Sequence, residues 1–314
     1  MAAEGDNHFM RYVYRGEEGE VIPREATHIT VAESCTFVRA WTFEGTYIVE
    51  IICHNRVKII ESGAFRFCPN LRRVIMPGVK IVEQQAFDDC RALTDVECGK
   101  LEIIGEDAFS DCESLRNINL PSVRIVAYYA FNGCKALTDA KFSSKLERID
   151  EWAFSDCFSL QRITIPLKDG IISADNIFQL CEKLMHTDLV EEAELHATTA
   201  ALHLEDWRND MNREIDSINQ ILPNARAVGD YDEDAEEWGD PGEKAEAIRM
   251  WIRSVRQKIV QYKAEHQRVL NGAATILQFA LPHDIVMNNI LPFLKLPSYT
   301  FVGEDQEDGD SEGE

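Results

Sequence analysis

The stretch of sequence that decides the fold covers residues 57–122, and it reads VKIIESGAFRFCPNLRRVIMPG, then VKIVEQQAFDDCRALTDVECGK, then LEIIGEDAFSDCESLRNINLPS. These are consecutive copies of one unit. Two further close copies occupy residues 123–145 and 146–167, and a looser copy occupies residues 168–190. In each copy a cysteine follows an Ala-Phe step, or Ile-Phe in the looser copy, and these cysteines are Cys68, Cys90, Cys112, Cys134, Cys157 and Cys181. Self-similarity at so short a period predicts a solenoid, in which every copy forms one coil.

Each copy ends on apolar residues that alternate with polar ones, the pattern of a short half-buried strand. The first close copy has Leu71-x-x-Val74-x-Met76, and Pro77 then stops the strand because proline lacks the N–H that a ladder needs. The same spacing begins at Ala26, Ile48, Leu71, Leu93, Leu115, Leu137, Leu160 and Leu184. We therefore predict about eight coils, stacked over about 34 Å at about 4.8 Å per strand.

The other residues of each copy complete the coil. Segments such as VKII (57–60) and VRIV (123–126) supply a second apolar edge. We expect the Ala-Phe step in one helical turn, with the Phe ring filling the coil interior. The repeat cysteines are predicted to form a stacked column of small buried hydrophobic groups, because their spacing is far from that of a zinc site. Use of these cysteines in disulfides or metal binding stays the alternative.

The consensus of the close copies ends on the motif L-x-x-V/I-x-h-P, where h is an apolar residue, and the next copy follows it with V-x-x-I-x-x-x-A-F-x-x-C-x-x-L. In this combined motif the chain resembles the BspA-type leucine-rich repeat family over about residues 26–190. Together with RGEEGEVIP (15–23) and ALHLEDWRNDMNREI (201–215), it resembles a group of such proteins from diatoms. The resemblance implies a right-handed α/β repeat solenoid that recognises proteins, with surface adhesion for secreted members. The family brings no catalytic residue to this chain.

The sequence divides into four predicted segments. Residues 1–25 contain RYVYRGEEGEVIP, which predicts a β-hairpin that caps the first coil. Residues 26–190 form the leucine-rich repeat domain. Residues 191–298 form a helical region with an acidic loop at 224–242, and residues 299–314 form a disordered acidic tail.

Two apolar stripes at helical spacing predict an antiparallel helical hairpin in the third segment, each helix about 45 Å long. The first stripe, which ends before Pro223, is Leu204, Trp207, Met211, Ile215, Ile218 and Leu222. The second is Ile248, Trp251, Val255, Ile259, Tyr262, His266, Val269 and Ala273. Basic residues on the second helix, such as Arg249 and Lys258, are expected to pair with acidic groups of the same segment. An acidic external partner is the alternative.

Charge and hydropathy exclude some classes of partner. The formal net charge is −23; residues 230–240 and 304–314 contain seven acids each, and −23 plus these 14 leaves −9. Such a balance argues against nucleic acid as the partner, because phosphate backbones need clustered Lys and Arg. No secretory signal and no membrane-spanning run is visible. Nine cysteines without a signal indicate free thiols in a reducing compartment, so we expect a cytoplasmic protein with no membrane partner, and a nuclear location stays open.

The candidate binding residues come from the strand pattern. If Val74 and Met76 point into the coil, Arg73 and Ile75 point to the outer, concave face of the sheet. The equivalent positions complete the set: Arg73, Ile75, Asp95, Glu97, Asn117, Asn119, Asp139, Lys141, Arg162 and Thr164, followed by His186 and Asp188 in the last copy. A solenoid's concave face is its usual interaction surface. The alternative is that half-exposed strands carry polar residues on their wet side without any binding role.

The chemistry-bearing motifs of nucleotide-binding proteins, zinc proteases and serine hydrolases do not occur in the sequence. We therefore predict no enzyme, no cofactor and no metal site, and we expect His196 and His203 to be solvated. The leading hypothesis is a non-catalytic protein-interaction scaffold that uses the concave face. One alternative is a ubiquitin-ligase substrate-receptor-like adaptor, because residues 281–297 resemble the start of an F-box. The other is a structural protein that self-associates through its C-terminal helices.

Overall fold

The computed structural model describes residues 10–190, 205–226, 243–279, 281–286 and 288. The chain forms two compact units. The first consists of Met1–Pro166, Gly170–Val190 and Ser217–Trp251, and the second of Leu167–Asp169, Glu191–Asp216 and Ile252–Glu314.

The first unit contains a parallel β-solenoid of about seven turns. One edge of the coils carries β1 (Met10–Tyr14), β2 (Ala26–Val31), β4 (Glu50–Ile52), β6 (Arg73–Ile75), β8 (Asp95–Glu97), β10 (Asn117–Leu120), β12 (Asp139–Phe142), β14 (Arg162–Ile165) and β15 (His186–Leu189). The second edge carries β3 (Phe37–Val38), β5 (Ile59–Ile60), β7 (Ile81–Val82), β9 (Ile103–Ile104), β11 (Ile125–Val126) and β13 (Arg148–Ile149). The first-edge strands pair as β1-β2-β4-β6-β8 and β10-β12-β14-β15, and the second-edge strands form one six-stranded sheet.

Strand burial follows the alternation that the sequence predicts. Val74 and Met76 are buried, whereas Arg73 is exposed and Ile75 is half-buried. The second apolar edge is also present, since Ile60 and Val82 are fully buried on β5 and β7. Both edges therefore enclose one continuous apolar interior, and their outer side chains face away from it.

The Ala-Phe step lies in consecutive tight turns, and our prediction of a helical turn is wrong for the close copies. The Ala64 N–H donates to the Glu61 carbonyl of its own coil at 3.2 Å, whereas the Phe65 N–H donates to the Ala86 carbonyl of the next coil at 2.8 Å. Because alternate N–H groups reach across to the neighbouring coil, they are not available for the i to i−4 bonds of a helix. A 3₁₀ turn forms in the looser copy, at Asp175–Phe178.

The interior is organised by two columns, one of rings and one of thiols. Successive Phe rings stack nearly parallel; Phe87 and Phe109, for example, have centroids 5.2 Å apart and planes 8° apart. Beside them, each repeat cysteine donates its S–H to the Phe carbonyl of the preceding coil, as Cys112 does to Phe87 at 3.3 Å. Equivalent bonds of 3.0–3.2 Å are made by Cys68, Cys90, Cys134, Cys157 and Cys181.

The N-terminal segment differs from the predicted hairpin. Strand β1 pairs in parallel with β2, and residues 15–25 contain turns and no second strand. The Glu20 carboxylate accepts the Tyr12 hydroxyl at 2.8 Å and the Arg15 N–H at 3.0 Å. These bonds close the loop through a side chain, so no antiparallel ladder forms, and Pro23 has no N–H to donate to one.

Two helices follow the solenoid, α1 (Glu205–Ile221) and α2 (Glu243–Gln278), with a 3₁₀ turn at Leu222–Asn224 between them and a short helix α3 at His283–Ile285. In the second unit, Trp207 stacks on Tyr262 at 5.3 Å and Lys258 donates to Asp210 at 2.8 Å. These contacts join earlier residues of α1 to later residues of α2, so the two chain segments run in opposite directions. In the first unit, the buried Lys244 ammonium donates to the carbonyls of Leu184 and Leu222 at 2.7 and 3.0 Å.

The end of the second stripe differs from the prediction. Val269 is 50% exposed and Ala273 is half-buried, whereas their neighbours Leu270 and Ala274 are buried. Leu270 and Ala274 are four residues apart and so share one face of the helix, and that face packs against Val286 of the following segment. Helix α2 also has 36 residues, or about 54 Å, more than the predicted length.

Several predictions fall on residues outside the described ranges. They concern the paired histidines His196 and His203, the greater part of the acidic loop 224–242, most of 281–297 and the tail 299–314.

Candidate functional site

The candidate site is the outer face of the first-edge strands, which we call the strand face. It is formed by Arg73, Ile75, Asp95, Glu97, Asn117, Asn119, Asp139, Lys141, Arg162 and Thr164, all of them exposed or half-buried. His186 and Asp188 occupy the equivalent positions on β15 and are exposed and half-buried. The structure therefore brings every sequence-predicted candidate to one side of the sheets, because each strand buries only the residues between and beyond these positions.

Parallel pairing places these side chains in two rows. In the first row Arg73 lies opposite Asp95 on the next strand, and Asp139 lies opposite Arg162. In the second row Ile75 lies opposite Glu97. Neighbouring strands are about 4.8 Å apart, so adjacent members of a row are within reach of each other's side chains.

Ion pairs hold part of the strand face in place. Arg73 lies between two carboxylates, donating to Glu97 at 2.8 Å and approaching Glu50 at 3.5 Å. Arg162 donates to Asp188 at 2.9 Å. The hydrogen bond to Glu97 raises the pKa of Arg73. Exposed pairs of this kind contribute only about 0–1 kcal/mol to stability, so their main effect is to orient charged groups on the surface.

Sequence reasoning missed the part of the strand face on the first two coils. His28, Glu50 and Arg73 share the first row, and Ile52 is 38% exposed opposite Ile75 in the second. The signal for these residues is present in Ile48-x-x-Ile51-x-Cys53, which has the same spacing as the later strands. The pair Ile52 and Ile75 forms the apolar part of a face that is otherwise polar.

Burial raises the pKa of most of the cysteines, whereas hydrogen bonds, above all the one with Cys90, lower the pKa of Cys68. All nine are buried free thiols. Burial raises the pKa of Cys53 and of Cys98 to about 12, so both are protonated near neutral pH. The nucleophile is the thiolate, and these positions do not supply it.

Two further findings concern the described part of the chain alone. It contains no group of three or more His, Cys, Asp or Glu side chains arranged to hold a metal ion. Within the same residues, no helix combines the length and the apolar character needed to cross a membrane.

The family model for the BspA type leucine-rich repeat region matches residues 24–115 and 102–196, in six copies, and together these span more than half of the chain. A search of curated proteins found no match.

Solved structures similar to this chain include leucine-rich repeat proteins of bacteria. That of T. pallidum is 22% identical, with 56% of this chain and 78% of that chain covered and a TM-score of 0.42. That of Eubacterium ventriosum is 20% identical, with coverages of 56% and 53% and a TM-score of 0.43. Human 5T4, described as a Wnt-activated inhibitory factor and trophoblast glycoprotein, is 13% identical over 57% of this chain and 76% of its own, with a TM-score of 0.32. On the match of the family model over residues 24–196, this chain belongs to the BspA-type leucine-rich repeat family.

Proposed function

We propose that the protein is a non-catalytic interaction scaffold whose strand face binds a protein partner. Leucine-rich repeat solenoids are in general protein-interaction scaffolds, which supports this class of function. The observation that carries the proposal is the pair of rows of mixed charge, set on the parallel strands of two sheets, β1-β2-β4-β6-β8 and β10-β12-β14-β15. Pairing within each sheet holds the strand backbones in place, so the chain loses little backbone freedom on binding and more of the contact energy appears as affinity.

The size of the strand face indicates how a partner would sit on it. Strands from β2 to β15 span about 34 Å, and three residues per strand cover about 10 Å, or roughly 350 Å² in projection. A standard interface buries about 800 Å² on each partner. The partner would therefore cover the flanking turns as well, with Ile52 and Ile75 as its apolar contact and the charged rows setting its orientation.

A charge swap tests the proposal without changing net charge. The double variant Arg73→Glu with Glu97→Arg retains an ion pair between the same coils and reverses its direction on the strand face. The matched control is Lys135→Glu with Glu113→Lys, which swaps an exposed pair joined at 3.0 Å on the turns. Proximity labelling in the native cell, followed by pulldown of the labelled proteins with each purified variant, measures the effect.

We expect the strand-face swap to lose partners that the wild type and the turn swap both retain. Charge reversal of Arg73, Asp95, Glu97 and Asp139 together extends the test to four coils. Partners that stay bound to both strand-face variants at wild-type levels contradict the strand face as the binding surface.

Self-association is a second candidate, favoured by the end of α2. Val269, Ile276 and Phe279 are 50%, 71% and 90% exposed; the seven-residue spacing of Val269 and Ile276 places them on one face of the helix, and Phe279 lies just beyond its end. Large exposed apolar faces mark interaction sites. Light scattering at micromolar concentration should then detect a dimer that Ile276→Asp abolishes. Val260→Asp, at a valine that is 59% exposed on the opposite face of the helix from Val269, should leave the dimer intact; a strict monomer in the wild type contradicts the idea.

A further inference from the structure

A basic groove lies where the second-edge strands of the solenoid begin, and none of its residues belongs to the strand face. Its volume is about 430 Å³, and its lining residues are Lys80, Lys100, Glu102, Ser122, Arg124 and Lys145. Four of the six are cations and one is an acid, so the lining carries a formal charge of +3. The whole chain carries −23. This local excess of positive charge is opposite in sign to the protein as a whole.

The repeat itself assembles the groove. Lys80, Glu102 and Arg124 each precede a second-edge strand, and main-chain bonds of 2.8 Å join Glu102 N–H to the Lys80 carbonyl and Arg124 N–H to the Glu102 carbonyl. Lys100, Ser122 and Lys145 come from the preceding turns of three consecutive coils. Successive coils are about 4.8 Å apart, so the two lysines lie one coil on either side of Ser122.

The cations of the groove differ in their partners. Lys80 donates to Glu102 at 2.7 Å, and the Arg124 guanidinium donates to both oxygens of Glu147 at 2.8 and 3.0 Å. Lys100 and Lys145 are exposed and make no ion pair with any described residue. The hydrogen bond from Lys80, and then the charges of Arg124 and Lys145, lower the pKa of Glu102 despite the opposing effect of its own desolvation. Glu102 and Glu147 thus each pair with one cation of the groove, and Lys100 and Lys145 leave a surplus of two positive charges.

We propose that this groove binds a phosphomonoester group carried by a partner protein, held above Ser122 by Lys100 and Lys145. A phosphomonoester carries about −1.5 to −2 charges near neutral pH, closer to the surplus of the groove than the single charge of a carboxylate. Each lysine stem spans the distance of one coil, so both ammonium groups reach an anion placed between them. The site is independent of the strand face and of any partner bound there.

The surroundings of the groove argue against two other classes of polyanion. A nucleic acid backbone extends its charge over many nucleotides, and beyond the groove it meets a strongly acidic protein. A membrane surface favours basic residues accompanied by apolar or aromatic ones, and none of the six lining side chains is apolar. A single dianionic group on a protein needs only the positive potential of the groove itself for binding.

The test uses the full chain and an array of peptides with a central phosphoserine in random flanking sequence, printed beside the same peptides with serine and with glutamate. The variant is Lys100→Glu with Lys145→Glu. The control, Lys135→Glu with Lys183→Glu, makes the same change in net charge at two exposed lysines outside both the groove and the strand face. Circular dichroism checks that each variant retains the fold. Dissociation constants of selected peptides are then measured by fluorescence anisotropy with fluorescein labels, with inorganic phosphate as competitor.

We expect phosphoserine peptides to bind the wild type and the control, and to lose at least about tenfold in affinity with the groove variant, because two charge-assisted contacts become repulsive. Inorganic phosphate at millimolar concentration should compete. Equal binding of glutamate peptides would show an acidic-peptide site and overturn the phosphate assignment. Binding that the groove variant retains overturns the location. Binding of vesicles that contain phosphoinositides, with no phosphopeptide bound, would overturn the assignment of the phosphate to a partner protein.

Discussion

Phe109→Leu should lower the free energy of unfolding more than Phe178→Leu, although both rings are buried to the same degree. Phe109 stacks between Phe87 and Phe131, with ring centroids 5.2 and 5.4 Å away. Among the described residues, Phe178 stacks on Phe154 alone, at 5.9 Å. The two rings are 0% and 1% exposed, so the comparison isolates the number of stacked neighbours.

The magnitude follows from the number of ring contacts. Each aromatic pair contributes about 0.5–1.5 kcal/mol beyond its buried area, so Phe109→Leu loses about 1–3 kcal/mol from two pairs. Leucine leaves part of the ring volume empty, which adds about 1 kcal/mol at either position. We expect a total of about 2–4 kcal/mol for Phe109→Leu and about 1 kcal/mol less for Phe178→Leu.

Urea unfolding monitored by far-ultraviolet circular dichroism measures both variants against the wild type. Solenoid coils can open separately, so amide hydrogen exchange should accompany it and report where protection is lost. Protection should fall on the coils adjoining Phe109 in one variant and at the last coil in the other. Equal losses of stability in the two variants would refute the reasoning, since packing volume alone would then explain both.

Three further predictions concern single side chains. Gly63→Ala should destabilise the protein more than Gly45→Ala. Both glycines have a left-handed φ, but an alanine Cβ at Gly63 would lie 2.0 Å from the Trp41 ring, whereas at Gly45 it meets nothing within 4 Å. Equal midpoints of the two variants in urea unfolding contradict this. Asp107→Asn should raise the melting temperature at about pH 7.5 and leave it nearly unchanged at about pH 4. Burial, and then the charge of Asp88, raise the pKa of Asp107 to about 6. The folded state therefore favours the protonated carboxyl, and the stability that this protonation contributes is complete below the unfolded pKa and is lost as pH rises through about 6. A difference in melting temperature that does not depend on pH contradicts this. Lys244→Met should cost about 2 kcal/mol in urea unfolding, because it leaves two buried carbonyls without their donor; an unchanged midpoint shows that water replaces the ammonium.

Much of the fold could be predicted from particular residues. The spacing of Leu71, Val74 and Met76 predicted a strand and its buried side, and the equivalent positions of the other copies are buried as well, except Val96, which is half-buried. The predictions that are wrong concern hydrogen bonds between coils. Phe65 donates to the next coil instead of closing a helical turn, and Met10–Tyr14 pairs with β2 instead of folding back on residues 15–23. Such bonds depend on where a second segment lies, which local spacing does not report.

The candidate site was likewise predictable where it depends on one strand and unpredictable where it depends on contacts between coils. Alternation within one strand predicted that Arg73, Asp95 and Arg162 face outward, but not that Arg73 lies between Glu50 and Glu97. The basic groove was missed altogether, because its six residues come from positions on several copies that carry different residue types and show no repeat signature. Only the register of the second-edge strands gathers them.

By itself the sequence determined the solenoid, the buried residues of each coil and the outward positions of the strands. Those properties follow from short-range periodicity, since an apolar side chain at a given place in a copy has the same surroundings in every coil. Only the tertiary structure decided which hydrogen bonds the Ala-Phe turn of each coil makes, which carbonyl each cysteine S–H reaches, and which charged side chains become neighbours. These depend on contacts between residues 21 to 27 positions apart, where stacking distance and register, rather than local pattern, choose the partner.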